Sequence, residues 1–189
     1  MRVGATALAG VLVIERRVFA DGRGHLVVPW DAASYADAGV RADWVQDTVS
    51  YSRRGVLRGL HLQAPGAQAK LISVLRGRVF DVAADVRPGS DTFGRWVGQE
   101  LSADNARQLY IPAGYAHGFL VLSDDALVHY KVDAPYRPDA EVTVRWDDPE
   151  LGVAWPTLGT PPVVSAKDAA GLPLAALAAH PALAAAARR

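Results

Sequence analysis

Residues Gly55–Gln63 read GVLRGLHLQ, and three later runs keep the same habit: Lys70–Leu75 (KLISVL), His117–Leu122 (HGFLVL) and Val128–Val132 (VHYKV). Side chains alternate between the two faces of a strand, so Leu57, Gly59, His61 and Gln63 are expected to share one face of the first run. The same count groups Lys70 with Ile72 and Val74, His117 with Phe119 and Val121, and Tyr130 with Val128 and Val132. If these faces look inward, His61, Lys70, His117 and Tyr130 project into an otherwise apolar interior. A closed interior with a few convergent polar groups is the usual form of a small-ligand site.

Outward from these runs, the chain between Gly10 and Ser165 is a succession of short β-rich segments separated by turn residues, the signature of an all-β sandwich or barrel. Further strands are expected at Val11–Val18, His25–Trp30, Trp44–Val49, Arg78–Val86, Trp96–Leu101, Gln108–Ile111 and Val142–Trp146. Gly77 and the Arg87-Pro88-Gly89-Ser90 and Ser123-Asp124-Asp125 segments supply breaks. Ala32–Ala38 suits a short helix. The last 21 residues turn to Ala and Leu, which suits a terminal helix broken at Pro173 and Pro181 and packed on the barrel. With 189 residues, no internal repeat and no linker, residues 1–189 read as one domain.

Composition narrows the function. Hydrophobic residues make up 50% and charged residues 21%, as in ordinary globular chains. Twenty Lys and Arg balance twenty Asp and Glu, so no basic field collects nucleic acid or an anionic membrane, and an anionic ligand must be held by a few placed cations. The absence of cysteine removes disulfides, thiolate metal sites and a thiol nucleophile. Arg2 and the apolar stretch Val3–Ile14 have the outline of a signal peptide, but Gly4, Thr6 and Gly10 interrupt it and it reads better as a first strand. No apolar run approaches the length of a membrane span, and the cytoplasm is the expected location.

The segment IPAGYAHGF (Ile111–Phe119) resembles the second conserved box of the cupin barrels, P-x-G-x-x-H, in which Pro and Gly shape the loop that delivers the His inward. The first cupin box would carry H-x-H and a nearby Glu; here it reads His61-Leu62-Gln63, without the second His or the Glu. Two imidazoles are a poor cage for a transition metal, so neither metal nor cofactor is expected. In the metal's place stands Lys70, whose ammonium can stabilise negative charge on an oxygen and so points to enolate chemistry beside a carbonyl. A neutral imidazole is a suitable proton acceptor near pH 7, and the Tyr130 phenol offers a proton. Base and acid on opposite faces of a carbon can epimerise it.

At this point the chain is similar to the dTDP-4-dehydrorhamnose 3,5-epimerase family of RmlC-like cupins. The likeness covers roughly residues 10–168, through FADGRG, WVQD, GVLRGLHLQ, the long block from AKLISVLRG to QELS, RQLYIPAGYAHGFLVLS, HYKVDAPYRPDAE, RWDDPELGVAWP and SAKD. It implies a jelly-roll (double-stranded β-helix) barrel with short peripheral helices, working as a homodimer on a nucleotide-linked 4-keto-6-deoxy sugar. Carried over residue by residue, it implies that His61 is the base, oriented by Asp168, that Tyr130 is the acid, and that Lys70 faces the enolate with His117 beside the sugar. Arg23, Arg58 and Lys167 would bind the nucleotide and its diphosphate, Gln46 and Glu141 would make polar substrate contacts, and Tyr136 would stack on the pyrimidine.

The chain departs from the family pattern at Val28, where Glu is usual, at Thr48, where Asn is usual, and at Leu62, where an aromatic is usual. Other readings therefore stay open: a mono-epimerase acting at C3 or C5 alone, a 3,4-ketoisomerase, a non-catalytic sugar-nucleotide binding barrel, or a metal-dependent dioxygenase. Each site residue also has a bland reading. His61 alone could be a satisfied core residue, Lys70 an edge-strand cation facing water, Tyr130 a packing aromatic, Tyr136 a loop residue and Asp168 the cap of the helix after it. Asp81 and Asp85 alternate on one face and are candidate partners of a buried cation, with no catalytic role assigned. His25, His129 and His180 read as surface residues.

Overall fold

Two antiparallel sheets face each other. In the first, the order is β1 (Arg2–Ala5), β2 (Leu12–Glu15), β10 (Arg107–Ile111), β7 (Lys70–Arg76), β12 (Asp125–Val132), β5 (Gln46–Arg53). In the second it is β13 (Glu141–Thr143), β6 (Leu57–Gln63), β11 (Ala116–Val121), β8 (Arg78–Ala84), β9 (Trp96–Ser102). A separate hairpin pairs β3 (Val18–Asp21) with β4 (Gly24–Val27). These elements come from a computed structural model, which describes residues 1–186. The sandwich is the expected all-β jelly roll, although the two sheets do not close into one continuous hydrogen-bonded barrel.

The alternation seen in the sequence builds the layers. Ile72, Val74, Leu109 and Val128 of the first sheet meet Val79, Ala83, Phe119 and Val121 of the second in the inner core. On the outer face of the first sheet, Tyr35 of α1 (Ala32–Asp37) packs with Ile14, Leu71 and Tyr110. The outer face of the second is covered by Leu174 and Leu177 of α3 (Leu174–Leu177) and Leu183 of α4 (Pro181–Ala186), which bury Leu60, Val82 and Val144. Gly77, with φ of +76°, turns β7 into β8 where a Cβ would stand 2.0 Å from the Asp125 carbonyl oxygen, so no other residue fits.

Some expectations need correction. The strand expected over Val11–Val18 is two elements, β2 and β3, and β1 precedes it; all four β1 residues are exposed, so RVGA carries no alternation to read. Strand Val142–Trp146 is shorter, ending at Thr143. The terminal helix is two short ones, α3 and α4, preceded by the turn α2 (Ala166–Ala169), and the prolines stand at helix starts: Pro173 caps α3 and Pro181 opens α4. Residues 187–189 of that tail lie outside the described residues.

The most consequential difference lies in β6. His61 pairs with His117, but Arg58 pairs with Phe119 and Leu57 with Leu120, so β6 carries one extra residue at Gly59–Leu60. Gly59 permits this because its backbone lies against β11: a Cβ there would stand 2.6 Å from the Gly118 Cα, and its φ is +119°. A bulge of this kind re-aims side chains. Leu57, expected beside His61, turns away into a cluster with Leu120 and Leu122, and Arg58 takes the inward face instead.

Candidate active site

One end of the sandwich opens into a cavity of about 820 Å³. Of the eleven site residues expected from the sequence, ten line it: His61, Lys70, Tyr130, Asp168, Gln46, Arg58, His117, Tyr136, Glu141 and Lys167. Arg23 does not. It sits at the tip of the exposed β3–β4 hairpin, where its guanidinium pairs with Asp21 at 2.6 Å.

The two sheets divide the chemistry between facing walls. His61 and His117 are cross-strand neighbours on the second sheet, whereas Lys70 and Tyr130 stand on adjacent strands of the first. His61 Nε2 lies 2.6 Å from Asp168 Oδ1, with the imidazole 28% exposed and the carboxylate 5%. Asp168 is fixed in turn. Its second oxygen accepts from the Gly59 backbone N–H at 3.3 Å, so the bulge that re-aims Arg58 also anchors the carboxylate. Ser165, not Asp168, caps α2, accepting from the Asp168 N–H at 3.1 Å. The helix-cap reading of Asp168 therefore falls, and the residue sits within the turn, facing the cavity.

Burial pushes the Lys70 ammonium down from 10.5 to about 8, against the pull of Asp133 and Glu141. The edge-strand reading of Lys70 falls with it, since the side chain is buried on a central strand. Tyr130 is pushed above its ordinary pKa by burial, opposed by the Arg58 cation. It stays protonated at neutral pH and can donate.

A second His–Asp pair has no signature in the sequence. His117 Nε2 lies 3.1 and 3.0 Å from the two oxygens of Asp81, which is wholly buried on neighbouring β8 and whose pKa burial raises. Asp81 is thus a buried partner, as its alternation suggests, and the group it meets is His117. Asp85 pairs with Arg87 and also accepts from Ser90 and Thr92, away from the cavity. His129 is not a free surface residue either: it is largely buried, 3.6 Å from Asp47.

Around the mouth, Glu141 pairs with Lys167, joining β13 to α2 beside the His61–Asp168 contact. Burial raises the Glu141 pKa, but Lys167, the His61 side and the Tyr136 phenol outweigh it and hold the carboxyl below its ordinary value. Gln46 Oε1 accepts from the Tyr136 N–H at 3.1 Å and its amide donates to Thr48 at 3.1 Å. Gln63 accepts from the Arg137 N–H at 2.7 Å, and Gln68 donates to the Ala134 carbonyl at 2.6 Å. Neither Gln63 nor Gln68 stands out as a site residue in the sequence; inward register points to Gln63 alone, and Gln68 lies in the loop before β7 with no local signal. Of the three departures, Thr48 and Leu62 reach the cavity, whereas Val28 is exposed just beyond the hairpin. Among the described residues, no three His, Cys, Asp or Glu side chains gather as a metal-binding group.

A carboxylate-backed imidazole across a cavity from a half-buried phenol and a buried ammonium suits proton transfer at a carbon held between them, and a jelly roll that does this is a cupin-type isomerase. A sequence model of the dTDP-4-dehydrorhamnose 3,5-epimerase family matches residues 5–176, and the chain belongs to that family. The dTDP-4-dehydrorhamnose 3,5-epimerase of Pseudomonas aeruginosa is 47% identical over 172 residues, 90% of this chain and 94% of the relative. Among solved structures, the dTDP-6-deoxy-D-glucose-3,5-epimerase of Legionella pneumophila, in complex with dTDP-4-keto-L-rhamnose, superposes with a TM-score of 0.89 at 44% identity, covering 93% of this chain and 96% of that one. ChmJ, a 3'-monoepimerase from Streptomyces bikiniensis in complex with dTDP-quinovose, gives 0.85 at 36% identity, covering 90% and 86%.

Proposed function

We propose that the chain epimerises a dTDP-4-keto-6-deoxy-hexose at C3 and C5 through an enolate, without a cofactor. The observation that carries this reading is the placement of His61 and Tyr130 on facing walls. His61, held by Asp168, removes the proton α to the C4 ketone. Lys70 stabilises the enolate oxygen as its charge develops, with His117 beside it, and Tyr130 returns a proton to the opposite face. The C4 carbonyl acidifies both neighbouring carbons, so one base and one acid serve C3 and C5 in turn if the sugar shifts between steps. Asp168 favours the imidazolium that follows proton removal. Arg58 and Lys167 receive the diphosphate, Gln46 and Glu141 make polar contacts to the substrate, and Tyr136 stacks on the base.

Thr48 favours a second reading, a mono-epimerase. It is the cross-strand neighbour of Tyr130 on the cavity wall, and ChmJ lies among the structural relatives. We further propose a homodimer in the cytoplasm, with residues 1–189 acting as one unit. The exposed Phe19, Leu26 and Val28 around the β3–β4 hairpin support an interface there, and Arg23 on the same hairpin would then serve a site in the partner.

The test is proton NMR of dTDP-4-keto-6-deoxyglucose with the pure, chelator-treated protein in D₂O. Loss of both the C3 and C5 proton signals is expected. Loss at one carbon alone replaces the reading with the mono-epimerase, and retention of both overturns the substrate.

A further inference from the structure

Arg58 differs from the paired cations near the cavity, and from Lys70, which also forms no salt bridge among the described residues but is buried on β7 where Arg58 is exposed. Lys167 is paired with Glu141, Lys131 with Asp47 and Arg137 with Asp139, but among the described residues Arg58 forms no salt bridge. It is nonetheless held. Its Nε donates at 2.9 Å to the hydroxyl of Ser52, a residue 4% exposed on β5, and Nη2 makes one long contact, 3.4 Å, to the Tyr51 carbonyl. Ser52 is fixed by its strand, paired across to Ala126. The guanidinium is therefore held chiefly through Nε on the lining of the cavity, with no carboxylate to neutralise it.

We infer that Ser52 is a positioning residue that holds Arg58 as an anion-binding cation of the cavity, and through it the substrate's diphosphate. The inference rests on the nucleotide-sugar reading above. A free arginine loses rotamer freedom when it closes on an anion; one tied at Nε has lost much of it already, and its Nη groups keep the fork that matches a phosphate bidentately. Serine suits the task because a neutral hydroxyl can accept from Nε without competing for the charge, as a carboxylate would. Position matters on the chemical side too, since the Arg58 cation opposes the burial that raises the Tyr130 phenol. An anion seated on Arg58 reduces that opposition and holds Tyr130 more firmly in its protonated, donating form.

Calorimetric titration with TDP tests this. Ser52→Ala is expected to raise the TDP dissociation constant about three- to tenfold, with the loss in turnover falling in KM more than in kcat. Ser52→Thr, which keeps the hydroxyl, should restore binding and guards against a misfolded alanine variant. Arg58→Ala should lose more, and adding Ser52→Ala to it should cost nothing further, because Ser52 would have nothing left to position. Parental affinity in Ser52→Ala, or a double variant weaker than Arg58→Ala by the full Ser52 factor, overturns the inference. Parent protein that binds TDP but fails to turn over the keto sugar would sink the catalytic reading and leave Ser52 standing. If the parent binds neither TDP nor inorganic pyrophosphate, both fall.

Discussion

Two His–Asp pairs sit side by side on neighbouring strands, and their surroundings set them apart. His61 reaches Asp168 from a different part of the fold, the α2 turn, and its imidazole is 28% exposed at the cavity wall. His117 bonds Asp81 on the adjacent strand, with the ring 8% exposed and the carboxylate fully buried. In the first pair the carboxylate is ordered by the Gly59 N–H and the imidazole is open to a ligand, so proton transfer is available to it. In the second, burial raises the Asp81 pKa, and the carboxylate fixes a His117 ring that reaches the cavity wall with little of its surface open. On the proposed mechanism the same two residue types therefore divide the work, the more exposed His61 transferring the proton and the Asp81-held His117 presenting a fixed ring to the cavity.

The contrast can be broken by mutation. Replacing His61 with alanine should give the largest effect, a loss in kcat of about 10² to 10⁴-fold without loss of fold, read by steady-state turnover and a thermal melt. Asp168→Asn should cost less, about 10²-fold in kcat, with Tm nearly unchanged. Asp81→Asn should do the reverse, removing about 1–3 kcal/mol of stability and a few degrees of Tm, with a smaller effect on kcat. Equal behaviour of the two asparagine variants in both assays would erase the distinction.

The facing wall sharpens it through pH. With its pKa lowered by burial to about 8, Lys70 is cationic at pH 7 and loses its proton as pH rises through 8, so kcat should fall along an alkaline limb near that value while Tyr130 is still protonated. Stability runs the other way. The unfolded chain holds this proton up to about 10.5, so the folded state gains as pH climbs from about 8 to 10.5. Lys70→Arg, which stays charged, should lose the limb near 8. The smallest effect is expected from Thr48→Asn, a few-fold change in the ratio of C3 to C5 exchange followed by NMR.

Much of this arrangement is legible in the amino-acid sequence. Period-two alternation places His61, Lys70, His117 and Tyr130 on a common interior because each run is a regular strand with one face buried. It fails at Leu57, where one extra residue at Gly59 inverts the faces, and a bulge leaves no mark in the sequence beyond a glycine. The role of Ser52 and the identity of the partner of Asp81 are hidden for another reason. Each residue acts through a second side chain brought to it by strand pairing, and such pairs belong to the topology rather than to any local pattern. Arg23 is the converse, a residue in a recognisable motif whose own chain holds it away from its own cavity wall.

The central claim is that His61 takes the proton and Tyr130 returns one from the opposite wall. It is tested most directly by following deuterium uptake and inversion together in His61→Asn and Tyr130→Phe, each incubated with the keto sugar in D₂O. Tyr130→Phe should exchange the α protons without producing the epimer, because the base still works and the acid is gone; His61→Asn should do neither. Exchange at the parental rate in His61→Asn, or full inversion by Tyr130→Phe, would contradict the account.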